Sequence, residues 1–362
     1  MIDLSEYMRV NIGILLKDAM RSSIQDPREF IFLMRYAAES RRAYRKRERH
    51  EKAGRHIPPF LIASITQDCN LRCKGCYAME NKGCHAGGQM TAGRWKEIFK
   101  EAGDIGVCFI LLAGGEPMMR MDVLEQAAGA KNILFPVFTN GTLMDDKAIT
   151  VFRQNRHLVP VLSLEGDEAM TDERRGPGTF AALTGVMDQL KAAHLFFCAS
   201  VTVTKENLQY VTGKTFLDNL TGHGVKLVFY VEYVPVDAKT RALAPGDEDR
   251  KKLDEQLDAL RRAYKNVIFI SFPGDEKLTG GCLAAGRGFF HISPTGDAEP
   301  CPFSPYSDLN LKNHTLLEAL NSPLFKELNK EDYLLQEHEG GCLLFEKQEE
   351  VQRFLKQEPI DG

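Results

Sequence analysis

Cys69, Cys73 and Cys76 stand in the stretch Thr66-Gln67-Asp68-Cys69-Asn70-Leu71-Arg72-Cys73-Lys74-Gly75-Cys76-Tyr77, spaced Cys-x3-Cys-x2-Cys. Three thiolates on so short a loop can converge on one centre, and thiolates suit iron–sulfur clusters and zinc. Structural zinc takes four ligands. The nearest further donors, Cys84 and His85, do not continue the spacing. Three cysteines therefore fit a cubane with one iron left open, with a zinc loop or unpaired core thiols as the plainer alternatives.

A second set of thiols follows much later. Cys282 lies in Gly280-Gly281-Cys282, Cys301 in Glu299-Pro300-Cys301-Pro302 and Cys342 in Gly340-Gly341-Cys342. The turn Pro294-Thr295-Gly296-Asp297 can fold Cys282 and Cys301 back beside each other. Further donors for this set are His291, Asp297, His338 or a bound substrate, and zinc is an open alternative to iron. Of the remaining thiols, Cys108 reads as a small buried hydrophobe, and Cys84, just past the first loop, is a candidate hydrogen donor.

Elements that end beside these loops must position them. Apolar runs at 60–66, 108–113, 133–139, 158–164, 196–204 and 225–236 alternate with helical patterns near 91–105, 121–129, 145–154, 179–193 and 207–221. Six such repeats predict a parallel sheet with helices outside it, curled into a partial (β/α)6 barrel of TIM type. The cysteine loop follows the first strand, where parallel α/β folds carry their chemistry. The second strand ends Gly114-Gly115-Glu116-Pro117 and the fourth ends Ser163-Leu164-Glu165. Tyr230 and Glu232 alternate onto one face of the sixth, and a carboxylate there either faces substrate or belongs to a structural pair.

Residues 1–58 read as a helical leader, 59–265 as the barrel and 266–362 as a small C-terminal domain with a final helix. The leader's second helix starts at a capping Asp26 and ends on Arg41, Arg42, Arg45, Lys46, Arg47, Arg49, Lys52 and Arg55. This patch predicts an anionic partner, which includes peripheral contact with a membrane surface. Across 362 residues, 46 Lys and Arg against 50 Asp and Glu give a net charge of −4, which does not point to nucleic acid. No window reaches the roughly 18 apolar residues of a membrane span. The start, Met1-Ile2-Asp3, has no basic-then-apolar leader, so a reducing, cytoplasmic setting is expected for the nine cysteines.

The cysteine loop after the first strand, together with Gly114-Gly115-Glu116-Pro117, resembles the radical S-adenosylmethionine (SAM) superfamily. The later thiols resemble the auxiliary-cluster domain of its SPASM and twitch members. The resemblance implies that Cys69, Cys73 and Cys76 hold a four-iron–four-sulfur cluster whose open iron binds SAM. It implies that Gly75, Tyr77, Gly114, Gly115, Glu116, Pro117, Ser163, Glu165 and Arg175 line the SAM site. It also implies that Cys282, Cys301 and Cys342 hold a second iron–sulfur cluster. The family often has an aromatic residue where this chain has Gly75. The implied reaction is reductive cleavage of SAM to methionine and a 5′-deoxyadenosyl radical, which takes a hydrogen atom from substrate. The implied outcome is oxidative modification of a peptide, with the second cluster as electron acceptor. A small molecule or lipid is the alternative substrate, and a non-enzymatic iron–sulfur or zinc protein the alternative class. A flavodoxin or ferredoxin is the implied reductant.

Overall fold

A computed structural model describes residues 4–24, 26–81, 87–236, 238–330, 333–335 and 342–356. The chain opens with helices α1 (Leu4–Ser22) and α2 (Pro27–Lys52), followed by β1 (Phe60–Thr66), α3 (Tyr77–Glu80), α4 (Ala92–Ile105), β2 (Phe109–Gly114), α5 (Met121–Gly129) and β3 (Phe135–Thr139). It continues through α6 (Asp146–Gln154), β4 (Leu158–Leu164), α7 (Glu168–Arg175), α8 (Thr179–Ala192), β5 (Cys198–Val203), α9 (Leu208–Val211), α10 (Lys214–Gly222), β6 (Leu227–Glu232), α11 (Asp247–Ala263) and β7 (Ile268–Phe272). Then come β8 (His291–Ile292), β9 (Ala298–Glu299), α12 (Leu316–Leu320), α13 (Pro323–Leu328), α14 (Leu343–Glu346) and α15 (Gln348–Lys356).

These elements form two compact units that interleave along the sequence. The first comprises Met1–Ala38, Asn70–Cys76 and Pro136–Asp275, the second Glu39–Cys69, Tyr77–Phe135 and Glu276–Gly362. In the first unit β4, β5, β6 and β7 lie side by side, all parallel. Helices α6 and α8 pack on β4, α9 on β5 and α11 on β7. The spacing of Leu183, Val186, Met187 and Leu190 puts one apolar stripe of α8 in the core. Asp145 and Asp167 cap α6 and α7 by accepting from Ala148 N and Met170 N.

In the second unit β1 pairs in parallel with β2 and with β8, and β9 returns antiparallel beside β8, so the expected turn at Pro294–Asp297 forms and His291 pairs with Glu299. Trp95, Ile98, Phe99 and Ala102 bury one side of α4, and Phe99 meets the Phe135 ring edge-on at 5.0 Å.

Three details differ from the sequence pattern. The helical stretch at 207–221 breaks at Thr212-Gly213 into α9 and α10. Helix α7 was not visible as a helix, because Glu168, Asp172, Glu173, Arg174 and Arg175 leave it without an apolar stripe. Ile268–Phe272 adds a further parallel strand beside β6.

The basic end of α2 is partly structural. Lys46 Nζ donates to Gly103 O at 2.6 Å and Arg47 Nη1 to Gly106 O at 2.5 Å, so both cations cap the carbonyl end of α4. Arg42 pairs with Glu39 and Lys52 with Glu48. Arg41, Arg45 and Arg49 are exposed at four-residue spacing and form the cationic stripe of that helix. Arg47→Ala should therefore lower the unfolding free energy by about 1.5–3 kcal/mol, the usual worth of a charged hydrogen bond. Arg45→Ala should stay within about 0.5 kcal/mol. Urea unfolding of the two variants checks this.

Candidate active site

The loop Cys73-Lys74-Gly75-Cys76 is tied to the end of α7 in both directions. Lys74 N donates to Arg174 O at 2.9 Å, and Arg174 Nε donates to Lys74 O at 3.2 Å. From the same turn, Arg174 Nη1 and Arg175 Nη2 both reach Glu165 Oε1 at 2.5 Å. Glu165 is 2% exposed, just beyond β4. Its backbone is fixed as well: Thr171 Oγ1 accepts from its N–H, and Asn207 Nδ2 bridges its carbonyl to that of Thr202. Arg174 Nη1 also donates to Thr202 Oγ1 at 3.1 Å. Glu165 Oε2 is buried with no hydrogen-bond partner among the described residues, so it is free to accept from a ligand hydroxyl or ammonium group.

Two guanidinium groups on one carboxylate leave a surplus of positive charge beside the loop. Burial pushes the Cys73 thiol above its ordinary range, the Arg175 charge pulls it back, Cys76 pushes it further and Arg174 opposes that. Burial disfavours the charge on Arg175, but the Glu165 carboxylate foremost outweighs that and holds the guanidinium protonated. The half-buried Cys73 thiol thus lies beside two cations that favour its thiolate and oppose the effect of burial. Ser163, on β4, is half-buried and pairs in register with Ser200.

In the other unit the two glycines of Gly114-Gly115-Glu116-Pro117 answer to the backbone. A Cβ at Gly114 would stand 2.3 Å from Thr66 O, and one at Gly115 2.1 Å from Asp68 O. Gly115 N donates to Thr66 O, and Glu116 N to Asp68 O. Glu116 Oε1 accepts from Met118 N at 3.0 Å and caps the turn that Pro117 begins. The motif thus seats Asp68-Cys69 on the end of β2. Cys69 is half-buried, and the Tyr77 ring, which opens α3, meets Phe303 edge-on at 5.3 Å.

The same unit gathers the later thiols. Cys301 is hydrogen-bonded to Cys342 and feels Cys282, and its pKa is driven well up by burial first and these neighbours second. Burial, then Glu276 and Cys342, raise Cys282. Arg287 donates to the carbonyls of Thr279, Gly281 and Cys282 and braces this loop. Among the described residues no trio of His, Cys, Asp and Glu is already arranged as a chelate. Cys282, Cys301 and Cys342 are nevertheless soft donors of the kind that iron–sulfur clusters and zinc take.

Two of the further donors are engaged elsewhere. His291 is held between Ser64 Oγ at 2.8 Å and Glu299 Oε2 at 2.6 Å. Asp297 is bonded to Ser293, Thr295 and Asn310. His338 and Cys84 lie outside the described residues. Cys108 is buried and donates to Pro59 O, as a core thiol should.

The catalytic candidates Tyr230 and Glu232 are corrected by the register. Tyr230 pairs with Val201 and Glu232 with Val203, on the side of the sheet that carries helices. There Tyr230 Oη donates to Val211 O at 2.7 Å, and Glu232 accepts from Arg250 at 3.0 Å. The opposite face of β6, level with Ser200 and Thr202, carries Phe229 and Val231. Alternation alone pairs residues on a face without saying which face is covered. Arg174, next to the expected Arg175, holds the loop through Lys74 instead. So do Asn140 and Thr142, which bond to Asn70 at 2.9 and 2.7 Å. The Asn-Gly pair closing β3 was the one available signal for that contact.

Residues 63–213 match the family model described as the radical SAM superfamily. An AdoMet-dependent heme synthase of Methanosarcina barkeri is 31% identical over 315 residues, covering 78% of this chain and 87% of the relative. The chain belongs to the radical SAM superfamily. As a radical SAM enzyme its cofactors are a four-iron–four-sulfur cluster and SAM. A PqqA peptide cyclase of Granulibacter bethesdensis is 28% identical over 263 residues, covering 67% of this chain and 68% of the relative. Among solved structures, Streptococcus suis SuiB bound to S-adenosylmethionine superimposes with a TM-score of 0.67 at 20% identity, covering 83% of this chain and 77% of that one. That likeness is one of fold, a partial α/β barrel.

No helix among the described residues is long and apolar enough to cross a membrane. Glu165→Ala should destabilise the radical SAM fold by about 3–5 kcal/mol, because it strands two buried guanidinium groups. Glu165→Gln, which keeps the shape and one acceptor, should cost less. Guanidinium unfolding of both variants measures the difference.

Proposed function

We propose that this radical SAM enzyme oxidatively modifies a peptide, with Cys69, Cys73 and Cys76 holding the SAM cluster and Cys282, Cys301 and Cys342 an auxiliary one. When bound, the first cluster and SAM supply a 5′-deoxyadenosyl radical that takes a hydrogen atom from substrate. The chain's residues orient and insulate that chemistry. Glu165 Oε2 accepts from a SAM hydroxyl or ammonium group. Arg175, with Arg174, keeps the cysteine loop in a cationic setting and balances the ligand carboxylate. Gly114, Gly115, Glu116 and Pro117 fix Cys69 at the strand end, and Gly75, Tyr77 and Ser163 complete the lining.

The observation that carries the oxidative reading is the second, separate set of thiols, with Cys282 and Cys301 buried and Cys342 half-buried. A substrate radical that goes on to an oxidised product must lose an electron, and a second cluster can accept it. A peptide is favoured by the likeness to the PqqA peptide cyclase and to SuiB, which has been solved with its precursor peptide SuiA. The likeness to the heme synthase favours a small tetrapyrrole-like molecule as the second reading. On the proposed account a one-electron donor of flavodoxin or ferredoxin type works with the enzyme in the cytoplasm. Residues 1–58, 59–265 and 266–362 then divide as leader, catalytic barrel and auxiliary segment.

Anaerobically reconstituted protein with dithionite and SAM should release 5′-deoxyadenosine, and Cys69→Ala/Cys73→Ala/Cys76→Ala should abolish that release while iron falls by about half. Cys282→Ala/Cys301→Ala/Cys342→Ala should keep SAM cleavage but yield no mass-shifted product from a peptide that the parent enzyme modifies. Zinc in place of iron in the first triple variant would overturn the auxiliary cluster. Product from a tetrapyrrole and none from the peptide would favour the second reading.

A further inference from the structure

Tyr233 follows directly on β6, and its backbone N–H donates to Val203 O at 2.9 Å, so the strand ladder fixes where its side chain begins. The ring is 4% exposed and lies against Gly75, between Cys73 and Cys76 in the loop. A Cβ placed on Gly75 would stand 2.1 Å from Tyr233 Oη, 2.8 Å from Cζ and 3.0 Å from Cε2. Gly75 also has a φ of +67°, a region that side chains disfavour. Tyr233 Oη donates to Thr240 Oγ1 at 2.5 Å, which pins the far end of the ring. The Arg174 guanidinium lies 5.9 Å from the ring centroid. One aromatic side chain therefore touches the bare residue of the cysteine loop and the arginine that grips both Lys74 and Glu165.

We propose that Tyr233 is the positioning residue of the Cys73–Cys76 loop. It occupies the space that a side chain at position 75 would fill, sets the loop's path, and orients Arg174 toward Glu165. No other role for this ring emerges from its contacts: its hydroxyl is engaged by Thr240, and its edge is covered by the loop. The inference rests on the proposed reading that Cys73 and Cys76 hold the SAM cluster. On that reading, the position of the two thiolates and of the arginine pair sets how SAM meets the cluster. The loss of Tyr233 should then appear in SAM binding before it appears in cluster assembly.

The test uses the full chain, reconstituted anaerobically, with SAM as the probe. The readouts are iron content, SAM affinity by calorimetry, and the EPR signal of the reduced enzyme with and without SAM. Tyr233→Phe keeps the ring and should bind SAM within about twofold of the parent, whereas Tyr233→Ala and Gly75→Ala should each weaken binding by about tenfold or more. Both Ala variants should retain iron and lose the EPR change that SAM induces. Because Tyr233→Ala vacates the space that Gly75→Ala intrudes on, the double variant should bind SAM no worse than Tyr233→Ala alone, a coupling that independent effects would not give. Gly75→Ala and Tyr233→Phe keep the core filled and carry the test if Tyr233→Ala does not fold. Wild-type SAM affinity and an unchanged EPR response in Gly75→Ala would overturn the inference. If Cys73→Ala removes the SAM-responsive signal while Gly75→Ala leaves it intact, the positioning role alone is wrong. If Cys73→Ala leaves that signal in place, the reading beneath it is wrong.

Discussion

One buried carboxylate oxygen, Oε1 of Glu165, accepts from two guanidinium groups, and the rest of the site is arranged around that contact. A carboxylate and a single arginine would cancel. A second arginine leaves net positive charge in a place where water does not screen it, and the nearest groups able to use that charge are the thiols of the cysteine loop. The same two arginines end α7, whose last carbonyl-bearing turn also accepts from Lys74. Charge, loop path and helix end are thus one construction, and Asn207 locks its base by joining the ends of β4 and β5.

The strands were legible in the sequence because each is an apolar run bounded by turn residues. Phe60–Thr66 and Leu158–Leu164 have the bounds the pattern predicted, and the others differ by one to a few residues at their ends. Helix α7 was not legible, since its residues serve caps and ion pairs rather than a core stripe. The faces of β6 were not legible either. Period-two alternation groups Tyr230 with Glu232, but only the pairing with Val201 and Val203 shows that helices cover that face. At the site, cysteine spacing and the glycine pair gave the cluster loop its reading. The contacts that hold the loop come from residues distant in sequence, such as Arg174 and Tyr233, whose partners no local pattern specifies.

The glycine-rich motif after β2 illustrates a related limit. Its glycines are required by the approach of β2 to Thr66 and Asp68, so backbone packing alone explains them. Their contribution to chemistry is to set where Cys69 emerges. The later thiols show the opposite case. Cys301 and Cys282 are buried, and burial first and their neighbours second raise their proton affinity, a setting that local sequence does not reveal.

The proposed function has two separate thiol sets holding two clusters, of which only the one on the Cys69–Cys76 loop meets SAM. Mössbauer spectroscopy of protein reconstituted with iron-57 tests this most directly. The account predicts absorption from two four-iron clusters, with the share of a single iron moving when SAM is added and the remainder staying still. A spectrum of one cluster only, or one that SAM leaves unchanged, would contradict it.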